Sequence, residues 1–101
     1  MTLVVILTVR KDAIGQFRNF ESKAAAIMAE HGGAIERTVV VHLPDRPELF
    51  KEVHLVTFPG PEAFSAYRQD PSLQKIAHLR AAAVVDTEIM IGEDGPEYRP
   101  G

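Results

Sequence analysis

Residues 52–62, Glu52-Val53-His54-Leu55-Val56-Thr57-Phe58-Pro59-Gly60-Pro61-Glu62, constrain the fold more than any other stretch of this chain. The first seven read as a strand, and Pro59-Gly60-Pro61 ends that strand and opens a helix, because proline at a first helical position gives up an N–H that would be unpaired there anyway. Side chains two apart on a strand share a face, so Glu52, His54, Val56 and Phe58 lie together, opposite Val53, Leu55 and Thr57. One face is dry and the other mixes apolar with ionisable groups. A mixed face inside a small domain is where a ligand cavity is expected.

The rest of the chain arranges itself around this strand. Leu3 to Arg10 is apolar on both faces, the pattern of a strand in the middle of a sheet. Asp12 offers an N-cap for a helix whose apolar positions, from Ile14 and Phe17 through Phe20 or Glu21 to Ala24, Ile27 and Met28, recur every three or four residues until Gly32-Gly33 stops it. Ala34 to Leu43 forms a second strand, and Pro44-Asp45-Arg46-Pro47 turns it into the third, Leu49 to Phe58, as an antiparallel hairpin. The helix from Pro61 breaks at Asp70-Pro71, a repeated start signal, and resumes to about Ala82. Ala83 to Gly92 is the last strand. Residues 1–93 are expected to form one domain and 94–101 an acidic tail.

Strand, helix, strand, strand, helix, strand is the ferredoxin-like α+β order, βαββαβ, with both helices on one face of a four-stranded antiparallel sheet. The uncovered face is expected to carry Thr38, Val40, His42, His54, Val56, Phe58, Val84, Asp86, Glu88 and Met90, with Leu55 pointing to the helices. Such a face is too apolar for water, so a homodimer with sheets packed face to face is expected, as a dimeric α+β barrel that can enclose a cavity.

Composition narrows the partners. With 101 residues, 46% hydrophobic and 25% charged, the chain has one modest core, and its net charge of -3 disfavours nucleic acid and anionic membranes. The absence of cysteine excludes disulfides, thiolate catalysis and cysteine-ligated metals, and suits a reducing cytoplasm. Met1 to Val9 is apolar but lacks a basic leader and is too short to span a bilayer. There is no phosphate-binding glycine loop, GxSxG elbow or HExxH motif.

Four segments, His31-Gly32-Gly33, Phe58-Pro59-Gly60-Pro61-Glu62, Tyr67-Arg68-Gln69-Asp70-Pro71 and Leu79-Arg80, resemble the dimeric α+β barrel superfamily, near the small domain-of-unknown-function families related to antibiotic-biosynthesis monooxygenases. The resemblance covers most of the chain and implies the fold more than the reaction. That superfamily includes cofactor-independent oxygenases of aromatic polyketides, haem-degrading enzymes, lactone isomerases and polyketide cyclases. The chain has no tryptophan and no Asn and Trp pairing of the kind those oxygenases place around substrate, which points toward cyclisation or isomerisation.

The reading that follows is a small dimeric enzyme of secondary metabolism. It would act by acid/base chemistry on a hydrophobic oxygenated molecule, as a cofactor-independent monooxygenase, cyclase or isomerase. His54 is the candidate base, since imidazole exchanges protons near neutral pH, with Glu88 and Asp86 as further catalytic carboxylates. His42, Glu52, Val56, Phe58, Tyr67 and Met90 are the candidate substrate contacts. Each has a structural alternative: His54 as a hydrogen-bonded core residue, Asp86 and Glu88 as interface charges pairing with Arg10 or Arg37, Phe64 and Tyr67 as core. Glu52, His54 and His42 could form a facial metal triad, but the spacing is unspecific and no metal or cofactor is expected. A non-catalytic ligand-binding or structural dimer, with a filled interior, is the alternative function; haem ligation by His54 or His42 is a third.

Overall fold

β1 (Thr2–Arg10) is the spine of the molecule, bonded to β3 (Leu49–Thr57) on one side and β4 (Val84–Gly92) on the other, with β2 (Ala34–His42) outside β3. All pairings are antiparallel. The computed structural model describes residues 1–101. Its helices are α1 (Ile14–Glu30), α2 (Pro61–Arg68), α3 (Pro71–Lys75) and α4 (Ala77–Ala83), and none is long and apolar enough to cross a membrane. The expected α+β order and central β1 are therefore present.

Local chemistry explains the helix ends. α1 stops in a Schellman turn: the Gly33 and Gly32 N–H groups bond the Met28 and Ala29 carbonyls, and Gly32 takes φ +74°, a conformation glycine adopts without strain. Asp70 caps α3 by accepting from the Ser72 N–H at 2.8 Å, as the Asp-Pro signal implies. Asp12, expected to cap α1, does not. It sits in a 3-10 turn over Lys11–Ala13 and accepts two bonds from the Arg10 guanidinium, which satisfies its carboxylate before the helix begins. A second break, at Ile76, separates α3 from α4 within what the sequence pattern reads as one helix.

The register corrects one expectation with large consequences. Glu52, His54, Val56 and Phe58 face the helices and are all buried, whereas Leu55 lies on the uncovered face and is 38% exposed. Alternation along β3 is as expected but its face is reversed. Thr38, Val40 and His42, paired with His54, Glu52 and Phe50, and Val84, paired with Val9, lie on the helix side too, whereas Asp86, Glu88 and Met90 are on the uncovered face as expected. The uncovered face carries Val4 and Ile6 of β1, Val53 and Leu55 of β3, Val39 and Val41 of β2, and Met90 of β4, by their cross-strand pairing.

Two apolar clusters fill the space under the helices. One gathers Leu7, Val9, Ala13, Phe17, Phe50 and Ala83, and the other Leu3, Met28, Val56 and Phe58. Val5 touches both. His54 is directly opposite Val5 in the β1–β3 ladder, so the imidazole enters where the core divides.

Candidate functional site

Burying a carboxylate and an imidazole on one strand costs free energy unless each is bonded. Glu52, 2% exposed, accepts from Arg18 Nη1 of α1 at 2.5 Å and from His54 Nε2 at 2.7 Å. The Arg18 guanidinium also lies over the Phe17 and Phe50 rings, 5.4 and 5.9 Å from their centroids. Glu52 is thus clamped between a guanidinium and an imidazole, and no buried side-chain nitrogen or oxygen lacks a partner.

The clamp fixes the imidazole. A carboxylate flanked by a guanidinium can only accept, so Nε2 carries the hydrogen and, in the neutral ring, Nδ1 keeps its lone pair. Nδ1 is 3.8 Å from Oε2 of Glu21, on α1. Burial pushes the Glu21 carboxyl pKa up; His54, Arg80 and Arg18 pull it back, and Glu52 pushes it further up. Burial, with help from Glu21, pushes the Tyr67 phenol up to about 12, so it stays an O–H donor. Arg80 of α4 donates to the Thr87 hydroxyl on β4.

These groups line a cavity of about 370 Å³ between sheet and helices, within the range of small-molecule sites. Twelve of its eighteen lining residues are hydrophobic, which makes the wall apolar around a few convergent polar groups. Leu3, Val5, Leu7, Val56, Phe58 and Ile89 form the sheet side; Phe64, Tyr67, Leu73, Gln74 and Arg80 close it from α2, α3 and α4. The helix break at Asp70 holds that wall. His31 Nε2 and Asp70 Oδ2 are 2.8 Å apart, tying the end of α1 to the start of α3, and this bond lowers the Asp70 pKa.

Of the residues singled out in the sequence, His54, Val56, Phe58 and Tyr67 meet at the cavity, and Glu52 stands behind His54. Asp86, Glu88 and Met90 do not join them. They pair with Thr8, Ile6 and Val4, whose side chains project from the uncovered face, so the sheet itself separates them from His54. His42 shares the His54 face but is opposite Phe50 on the edge strand, exposed and four residues along from the partner of His54. The triad of Glu52, His54 and His42 therefore does not converge, and no group of three His, Asp or Glu side chains is placed to hold a metal ion. Arg10 pairs with Asp12 rather than with Asp86 or Glu88.

Sequence reasoning passed over Arg18, Glu21, Arg80 and Thr87. Glu21 had left a signal: it interrupts the apolar stripe of Phe17, Phe20, Ala24 and Met28, where a carboxylate is out of place unless it has a task.

No protein-family model matches the chain, and no curated protein matches it. Solved structures do. SnoaB, a cofactor-independent oxygenase from Streptomyces nogalater, superposes with a TM-score of 0.64 at 16% identity over 95% of this chain and 97% of its own. RPA0582, a protein of unknown function from Rhodopseudomonas palustris, gives 0.70 at 16% identity over 93% and 84%. An antibiotic biosynthesis monooxygenase gives 0.63 at 12% identity over 95% and 100%. The chain shares the fold of these solved structures, an antibiotic biosynthesis monooxygenase among them.

Proposed function

We propose that this chain is a small homodimeric enzyme of secondary metabolism that removes a proton from an apolar, oxygen-bearing molecule held between sheet and helices. The observation that carries this reading is the imidazole of His54. Its Nε2 is bonded to a buried carboxylate, its Nδ1 has no hydrogen-bond partner, and the residue lines a mostly apolar cavity. His54 takes a proton from carbon or oxygen next to a carbonyl, and Glu52, held by Arg18, steadies the imidazolium that forms. Arg80 and the Tyr67 O–H serve as donors to the oxygen on which negative charge develops, against a mostly apolar wall. Deprotonation is the step shared by oxygenation, cyclisation and isomerisation. SnoaB, with the same fold, is a cofactor-independent oxygenase, which supports chemistry that needs no resident cofactor.

The open cavity favours this reading over a purely structural dimer, which calls for a filled interior. The test is hydrogen exchange of 2-tetralone, an aromatic ketone, in deuterated water, followed by NMR. The wild type is expected to accelerate exchange at the carbon between ring and carbonyl. His54→Gln should lose about 10²- to 10⁴-fold of that acceleration, the usual contribution of a positioned base. Exchange at the wild-type rate in His54→Gln would remove His54 as the base.

A further inference from the structure

We infer that Glu21 is the acid partner of His54, so that the site moves a proton from one atom of a substrate to another atom of the same molecule. This rests on the proposed role of His54 as base and names the reaction that the site performs. Glu21 reaches the cavity wall from α1 while His54 reaches it from β3, and Glu21 Oε2 is 3.8 Å from His54 Nδ1. That gap is too long for a direct hydrogen bond. Both residues border the same cavity, so one bound molecule can meet the two of them.

Glu21 has no other employment. No hydrogen bond or guanidinium contact holds its carboxyl, in contrast to Glu52, whose two oxygens are both engaged. Burial favours its neutral, proton-bearing form, which an acid requires, and outweighs the opposing pull of His54, Arg80 and Arg18.

The chemistry balances without an oxidant. In a ketone whose C=C bond lies one carbon beyond the α position, His54 Nδ1 takes the proton between the two double bonds, and the C–H electron pair spreads into a dienolate. The Glu21 O–H bond then breaks, its proton forms a new C–H bond at the far end of the C=C unit, and the double bond moves into conjugation. What remains is an imidazolium beside a carboxylate. His54 then gives up the Nδ1 proton to water and the Glu21 carboxylate takes one from water, restoring both groups. The substrate class is an apolar molecule with an enolisable carbonyl next to an unconjugated double bond, or the equivalent tautomer.

The experiment uses the full chain and 3-cyclohexenone, with two readouts on each variant: deuterium incorporation at the α carbon, which needs only the base, and ultraviolet absorbance of the conjugated ketone, which needs base and acid. The wild type is expected to do both, and His54→Gln neither. Glu21→Gln should keep α-exchange within about threefold and lose at least about 100-fold of conjugation, the lower range for a positioned acid. Glu21→Asp, which keeps the acid on a shorter arm, should recover part of the conjugation and covers the case in which the glutamine variant folds poorly. Equal loss of both readouts in Glu21→Gln and Glu21→Asp, no loss of either, or exchange without conjugation in the wild type would overturn the role of Glu21 while leaving His54 as base. A wild type that does neither overturns the proposed function itself.

Discussion

Glu52→Gln changes one oxygen of the clamp to an NH₂ group and should damage the site far more than the fold. Glu52 accepts from Arg18 at 2.5 Å and from His54 at 2.7 Å, whereas glutamine has one carbonyl oxygen for two donors. If the oxygen stays with Arg18, the NH₂ group points at His54 and bonds only a ring nitrogen without hydrogen, so the proton moves to Nδ1 and the base is lost from the cavity. Leaving one buried donor mismatched costs about 1–3 kcal/mol. Arg18 is about half exposed and can turn to water, which holds the loss toward the lower figure. For a domain of this size, each kcal/mol lowers Tm by roughly 4–8 °C. A wrong-tautomer imidazole in a carboxylate–histidine pair loses about 10⁴-fold in rate, so exchange of 2-tetralone should fall by two to four orders of magnitude. Urea unfolding gives the first number and the exchange assay the second. Wild-type exchange in a folded Glu52→Gln protein would refute the argument that Glu52 sets the tautomer.

Phe58→Ala should cost about 3–5 kcal/mol in urea unfolding, since Phe58 is 4% exposed and packs under the helices; a loss below about 1 kcal/mol would place it on the uncovered face instead. Light scattering should give twice the 11.1 kDa chain mass, and Leu55→Asp, on the uncovered face, should give the single mass; a monomeric wild type would remove the sheet-to-sheet dimer. Because the folded Glu21 carboxyl is raised, the folded state holds its proton at pH values where the unfolded chain has released it. Stability from this group is therefore full below the ordinary carboxylate range and declines as pH rises through the raised value. Glu21→Gln should accordingly be more stable than the wild type at neutral pH and no more stable at pH 3.5, and the opposite ordering in urea titrations would mean that Glu21 is buried as a paired anion.

The fold was legible because its punctuation is local. Gly32-Gly33, Asp70-Pro71 and Pro61 act through backbone conformations that need no distant partner, and the two-sided apolar character of β1 demands a central position. The site was legible in part. Periodicity along β3 groups Glu52 with His54 but says nothing about which side meets the helices, and the rule that polar groups face outward points the wrong way. What reverses it is Arg18, 34 residues away in sequence, which makes burial of Glu52 tolerable. That error grouped His54 with Asp86, Glu88 and Met90, which do lie on the uncovered face as expected and so stand across the sheet from it. Arg80 stands out in the sequence only as part of Leu79-Arg80 and Thr87 not at all, and the approach of α4 to β4 brings them to the wall.

The most direct test of His54 as a base facing an open cavity is ¹⁵N NMR of histidine-labelled protein, recorded with and without 2-naphthol. The neutral His54 ring is expected to carry its hydrogen on Nε2, and the Nδ1 resonance to shift when the naphthol hydroxyl enters the cavity and bonds it. A hydrogen on Nδ1, or a His54 spectrum indifferent to the ligand, would contradict that role.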